Sequence, residues 1–327
     1  MKKIISLALT IILLMSSLLV LSACGQNNGG DEESGPIKIS VLNGTTGFGI
    51  AQLMSLNEQN LATNKYEINV ETNASFVTSA LIAGTIDMAA LPTNAASTVY
   101  NATNGGVQII AINTLGVLYL LEKGQTVTNL EDLNGKTVYV PAQNPTFIAK
   151  YIFNYPELQG VTLDSTTYST PEALKNAVIA GVVDYAILPQ PIVTAVTSAN
   201  KEYRVAFDLT QEWNKIEGAG QLVQGCVVAR TEFLNNNKEA VDAFLSEYEA
   251  SINYLSTNVD DAAKLIVKYG IFANENIAKK AIPECNVIFM KGDEMKSAMS
   301  AFLDVMYSVA PQSIGNALPN NDFYYIP

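Results

Sequence analysis

Two kinds of apolar pattern alternate along this chain. Short runs rich in Ile, Val, Leu and Ala predict strands over 37–42, 66–70, 88–91, 107–112, 136–140 and 185–188. Between them, apolar residues recur at helical spacing and predict helices over 75–83, 94–101, 146–154 and 171–180, with another starting in 49–56. From Lys238 onward the pattern is mostly helical, with a stripe of Val241, Phe244, Leu245, Tyr248 and Ile252. Strand alternating with helix builds sheets flanked by helices on both faces. The expectation is an α/β protein.

One segment occurs twice. Residues 80–93 read ALIAGTIDMAALPT and residues 177–190 read AVIAGVVDYAILPQ, and eight of the fourteen positions are identical. Each copy reads as a helix ending at a glycine, where a left-handed cap costs nothing. Asp87 or Asp184 follows in the turn, and then a buried strand stops at Pro92 or Pro189. Ser169-Thr170-Pro171-Glu172 adds a cap hydroxyl, an early proline and a first-turn acid to the second helix. Solenoid repeats recur at roughly 20–50 residues, so the longer spacing here predicts two lobes of like build.

The amino terminus follows other rules. Lys2 and Lys3 precede an apolar run to Leu21, and the run ends in Leu21-Ser22-Ala23-Cys24. This is similar to a bacterial lipoprotein signal, in which the cysteine becomes the lipidated first residue. Residues 1–23 are then a signal peptide, and 24–36 are a flexible polar tether. An uncleaved membrane span over the same run is the alternative.

Composition narrows the chemistry. With 19 Lys+Arg, 31 Asp+Glu and a formal charge of −12, the chain lacks the basic face that nucleic acid requires. It has no histidine, which removes Ser-His-Asp and Cys-His nucleophile systems and His-bearing zinc sites. Beyond Cys24, only Cys226 and Cys285 remain, either as one disulfide or as two buried thiols.

In open parallel sheets, ligands bind at the carboxyl ends of the strands. That rule selects loops 43–48, 72–76, 92–94, 113–114, 141–147, 168–170 and 189–191, which contain no Lys, Arg, Asp or Glu. The candidate ligand-binding residues are Asn43, Thr45, Thr46, Phe48, Asn73, Ser75, Phe76, Thr93, Asn94, Asn144, Thr146, Phe147, Gln190 and Trp213. Neutral amides, hydroxyls and rings suit a small neutral or zwitterionic molecule, with Phe48, Phe76, Phe147 and Tyr168 free to stack on it or to fill the core. Backbone N–H groups at helix starts leave an anion open as well. Trp213, the only tryptophan, either caps the cleft or packs inside. Glu217 is the candidate acceptor for an amine-bearing ligand.

The lipobox, the tether, the strand-loop-helix start 41–49 and the doubled Ala-Gly-x-x-Asp-x-Ala-x-x-x-Pro together resemble the substrate-binding lipoproteins of ABC importers. The branch is the one binding nitrate, sulfonates, taurine and thiamine precursors. The resemblance implies a two-lobed type II periplasmic-binding fold, each lobe a mostly parallel sheet, with the ligand cleft between them. Lobe 1 would comprise 37–120 and 225–327, lobe 2 would comprise 121–224, and the crossovers would lie near 118–123 and 221–230. It implies a monomer lipid-anchored outside the membrane through Cys24, with permease and ATPase subunits as partners. It implies no catalytic residue, cofactor or metal, and so a protein that is not an enzyme. The predicted loops lack the cation usual in sulfonate and nitrate sites, which favours an uncharged ligand.

Rival readings carry less. Gly44-x-x-Gly47-x-Gly49 imitates a dinucleotide fingerprint, but its glycines fall in the wrong order. Ser198-Ala199-Asn200-Lys201 matches SxxK without the companion motif of an exported hydrolase. An exported sensor or adhesion lipoprotein of the same fold is the remaining alternative.

Overall fold

The computed structural model describes residues 35–142 and 144–327. The expected signal peptide, the lipidation residue Cys24 and most of the tether lie outside the described residues. The chain runs β1 (Ile37–Leu42), α1 (Thr45–Phe48), α2 (Ala51–Glu58), β2 (Tyr66–Glu71), α3 (Ala74–Ala83), β3 (Met88–Pro92), α4 (Thr93–Ala102) and β4 (Val107–Leu115). It continues through β5 (Leu118–Lys123), β6 (Thr137–Tyr139), α5 (Asn144–Ile152), β7 (Thr162–Asp164), α6 (Pro171–Ile179), β8 (Tyr185–Pro189), α7 (Ile192–Ala199), β9 (Tyr203–Asp208) and α8 (Leu209–Asn214). It ends with β10 (Val223–Arg230), α9 (Thr231–Asn236), α10 (Lys238–Thr257), α11 (Val259–Lys268), α12 (Glu275–Ala281), β11 (Val287–Met290) and α13 (Gly292–Val309).

The strands form two sheets, ordered β11-β4-β10-β3-β1-β2 and β7-β6-β8-β5-β9. Both are mixed. β1 pairs in parallel with β2 and β3, while β10 runs antiparallel to β3 and β4. In the second sheet β6 pairs in parallel with β7 and β8, while β5 runs antiparallel to β8 and β9.

The duplicated segment folds the same way in each sheet. Gly84 at φ +69° and Gly181 at φ +75° take the left-handed conformation that closes a helix. The Thr85 N–H donates to the Ala80 carbonyl at 3.0 Å, and the Val182 N–H donates to the Ala177 carbonyl at 3.2 Å. The carbonyls of Asp87 and Asp184 then accept from the N–H groups of Arg230 (2.9 Å) and Lys123 (2.8 Å). Each copy therefore receives the end of an antiparallel strand, β10 in the first sheet and β5 in the second. Asp87 also accepts from the Lys38 N–H at 2.9 Å and pairs with Arg230 at 3.2 Å, a structural role.

Residues 118–123 and 221–230, expected as crossovers, are mostly strand: β5 and β10 occupy them. The chain passes from β4 to β5 through Gly116 and Val117 alone, and returns through 215–222. Long-range pairing claims these residues because both segments are apolar and find partner strands on both sides.

The sheets are buried on both faces. In β10, Cys226 and Val228 enter one core while Val227 and Ala229 enter another, as the two-residue period of a strand requires. One core is shared between the sheets and holds Phe302 and Met306 of α13 together with Ile148, Ile187 and Trp213. The opposite face of the first sheet packs Phe48, Phe244 and Tyr248, and that of the second packs Leu121, Leu174 and Val196.

Candidate ligand-binding site

The short crossing decides where a site can lie. β4 ends, and β5 begins, at the edge where the parallel strands of each sheet finish. In the first sheet Leu115 pairs with Val223 and Gly225 with Pro92; in the second, Leu118 pairs with Pro189. Two intervening residues span at most about 11 Å between the flanking α-carbons. The carboxyl edges of the two sheets are therefore joined closely at this crossing.

On the first edge, Asn43 is exposed and its side chain has no partner among the described residues. Thr45 is buried, and the half-buried Thr46 offers its carbonyl to Asn113 Nδ2 at 3.0 Å. Asn73 caps α3 by accepting from the Ser75 N–H and Oγ, both at 2.9 Å, which leaves Phe76 exposed beside it. Thr93 is fully buried and donates to the Val223 carbonyl at 2.9 Å, so it ties α4 to β10. Asn94 Nδ2 reaches the Ser313 carbonyl at 3.4 Å, while its buried Oδ1 has no donor among the described residues.

On the second edge, Asn144 opens α5 with a buried Oδ1 that likewise has no donor among the described residues. Thr146 is buried and donates to the Pro141 carbonyl at 2.7 Å. Phe147 packs half-buried against the shared core. Gln190 is buried, and its Oε1 accepts from the Thr194 N–H at 3.2 Å and Oγ1 at 2.8 Å, which orders the start of α7.

Two candidate ligand-binding aromatic residues, which the sequence left between cleft and core, lie in the core. Phe48 is wholly buried, edge-on to Phe272 at 6.4 Å, because the turn of α1 points it inward rather than into the cleft. Trp213 is also wholly buried. It donates from Nε1 to the Gly220 carbonyl at 3.0 Å and lies 4.9 Å from the Tyr151 ring and 5.9 Å from the Phe302 ring. It fills the shared core and does not cap the cleft. Glu217 is exposed to solvent.

Other residues at these edges escaped the sequence-based choice. Asn113 donates to both the Thr46 carbonyl and Tyr248 Oη (2.9 Å) and accepts from Thr114 Oγ1 at 3.1 Å, locking β4 to α1 and α10. It stood in a selected loop, but nothing local distinguished it. Asp164 and Asp208 also reach the second edge, where Asp164 closes a turn and Asp208 caps α8. Asp164 accepts from the N–H groups and hydroxyls of Thr167 and Thr166, which hold its carboxyl well below the usual range. Asp208 accepts from the Thr210 N–H at 2.8 Å. Cys226 and Cys285 are free and buried, and burial pushes both thiols above their ordinary range. Among the described residues no cluster of His, Cys, Asp or Glu is placed to hold a metal, and no helix is long and apolar enough to cross a membrane.

A family model for menaquinone biosynthesis matches residues 58–307. The chain belongs to this family. That membership corrects the expectation of a protein that is not an enzyme, because the menaquinone biosynthesis family is a family of enzymes. No curated protein matches the chain. Among solved structures, an ABC transporter protein from Parabacteroides distasonis is 23% identical with a TM-score of 0.75, covering 89% of this chain and 98% of that one. The periplasmic aliphatic sulphonate binding protein SsuA from Escherichia coli is 14% identical with a TM-score of 0.69, covering 89% and 92%. The ligand binding component of an ABC-type import system from Staphylococcus aureus is 14% identical with a TM-score of 0.66, covering 89% and 96%. The family member described here thus has the two-sheet fold of periplasmic binding proteins.

Proposed function

We propose that the protein is an extracytoplasmic solute receptor, lipid-anchored through Cys24, that captures a small neutral, zwitterionic or aromatic molecule and delivers it to an ABC permease. The lobes are 37–120 with 225–327, and 121–224. Two buried carboxamide oxygens at the carboxyl edges, those of Asn94 and Asn144, have no donor among the described residues, and this supports the reading. A ligand bridging both edges makes its full set of hydrogen bonds only when the lobes close on it, so binding shifts the population toward the closed form. Asn43, Thr46, Asn73, Ser75, Phe76, Asn94, Asn144, Phe147 and Gln190 frame the cleft. The uncharged loops favour a ligand without net charge, and the likeness to a sulphonate binding protein keeps an anion as the rival cargo. The protein works as a monomer beside its permease and ATPase.

Membership of the menaquinone biosynthesis family favours a second reading, in which the captured molecule is converted in the same cleft. A thermal-shift screen against amines, pyrimidines, amino acids, sulfonates and quinone precursors finds the ligand, because about 2.7 kcal/mol is gained at a hundred times Kd. Mass spectrometry of the recovered ligand then separates the readings. Unchanged ligand with stimulation of permease ATPase supports delivery, and a changed mass supports conversion. A flat screen sinks both.

A further inference from the structure

Beside the carboxyl edges lies an open pocket of about 690 Å³. Its walls come from α6 and α7 of the second sheet and from residues 270–277 of the first. Of the predicted ligand-binding residues only Asn43 borders it. Its volume falls within the roughly 300–1,000 Å³ range of small-molecule sites.

The lining has two parts. Ile179, Phe272 and Ile277 are half-buried and form an apolar wall, with Phe272 braced edge-on by Phe48. Glu172 and Lys175, one turn apart on α6, form an ion pair at its rim. The Lys175 side chain is 24% exposed and that of Glu172 is 68% exposed. A pair this open to water is held weakly, so its two charges exchange partners at little cost. Lys175 has further donor positions, and Glu172 has further lone pairs. The side chains of Asn43 and Ser198 have no partner among the described residues and supply neutral groups around the pair.

We propose that this cavity binds a small zwitterion with an aromatic body, of the kind an aromatic α-amino acid supplies. The carboxylate pairs with Lys175, the ammonium with Glu172, and the ring lies on Phe272, Ile179 and Ile277. The site adjoins the Asn94–Asn144 edges and shares Asn43 with them. Because both sheets contribute walls, its occupancy stabilises one relative placement of the lobes.

Calorimetric titration of the folded protein with L-phenylalanine tests this. Phenethylamine lacks the carboxylate, 3-phenylpropionate lacks the ammonium and glycine lacks the ring. L-phenylalanine is expected to bind saturably and about tenfold or more tighter than each of the three. Lys175→Gln is expected to weaken L-phenylalanine about tenfold while leaving phenethylamine unchanged. Ala199→Trp, at an exposed position on the wall, is expected to block binding by filling the cavity. Equal affinity for the single-charge analogues overturns the proposal, as does binding insensitive to both Lys175→Gln and Ala199→Trp. Loss of affinity on Asn94→Ala or Asn144→Ala moves the ligand to the carboxyl edges, and no saturable binding at millimolar ligand removes the site altogether.

Discussion

Gly116 lies so close to Thr210 that a β-carbon on Gly116 would sit 2.1 Å from Thr210 Oγ1. The same β-carbon would lie 2.9 Å from Leu222 Cδ2. The first crossing and the start of α8 therefore touch without room for a side chain. Gly116→Ala is expected to destabilise the protein by about 1–3 kcal/mol through overpacking. Adding Thr210→Ala removes the nearest clash and should recover part of the loss. Urea midpoints of the three variants check this, and an unchanged midpoint for Gly116→Ala sinks the close-packing argument.

Glu122 is fully buried and paired with Arg204 Nη2 at 2.7 Å. Burial opposes its charge, but bonds from the Thr126 hydroxyl and N–H and the Val127 N–H, with the Arg204 charge, hold its carboxyl below the ordinary range. A lowered carboxyl contributes stability that is complete above its unfolded pKa and is lost as pH falls through the folded one. Glu122→Gln should cost about 2–4 kcal/mol at neutral pH, discounted because Arg204 reaches solvent. The gap in Tm between variant and parent should narrow as pH falls below the ordinary carboxylate range. A gap that stays constant down to strong acid would exclude this ionisation from the stability.

The twin glycine caps predict matched effects. Gly84→Ala and Gly181→Ala each force a side chain into left-handed backbone, at about 1–2 kcal/mol. The added methyl meets only the flexible ends of Arg230 (3.6 Å) and Lys123 (3.3 Å), so backbone strain sets both losses. Denaturant titration should return similar values for the two, and a large difference would contradict their equivalence.

Trp213 is the only tryptophan and is wholly buried between Tyr151 and Phe302. Native emission should be blue-shifted and poorly quenched by acrylamide. Trp213→Ala should cost about 3–5 kcal/mol. Quenching as efficient as that of free tryptophan would contradict the burial.

Features set by nearest neighbours in sequence were legible. The repeat foretold the caps at Gly84 and Gly181, the turns at Asp87 and Asp184 and the strands β3 and β8, since glycine at a helix end and an apolar run before proline act within a few residues. The site was legible only as loops. Phe48 and Phe76 look alike in sequence, yet one is wholly buried and the other is 63% exposed. Their fate depends on which way a short helical turn faces.

The sequence alone determined an α/β protein with a doubled motif, an excess of acidic residues and a set of uncharged loops. Tertiary structure alone decided that 118–123 and 221–230 are largely strands, that Trp213 joins the core and that α6, α7 and residues 270–277 line one open pocket. Those outcomes rest on pairs such as Leu118 with Pro189 and Trp213 with Phe302, separated by tens of residues. A period of two or 3.6 residues specifies which face of an element is apolar, but not the distant surface that will cover it.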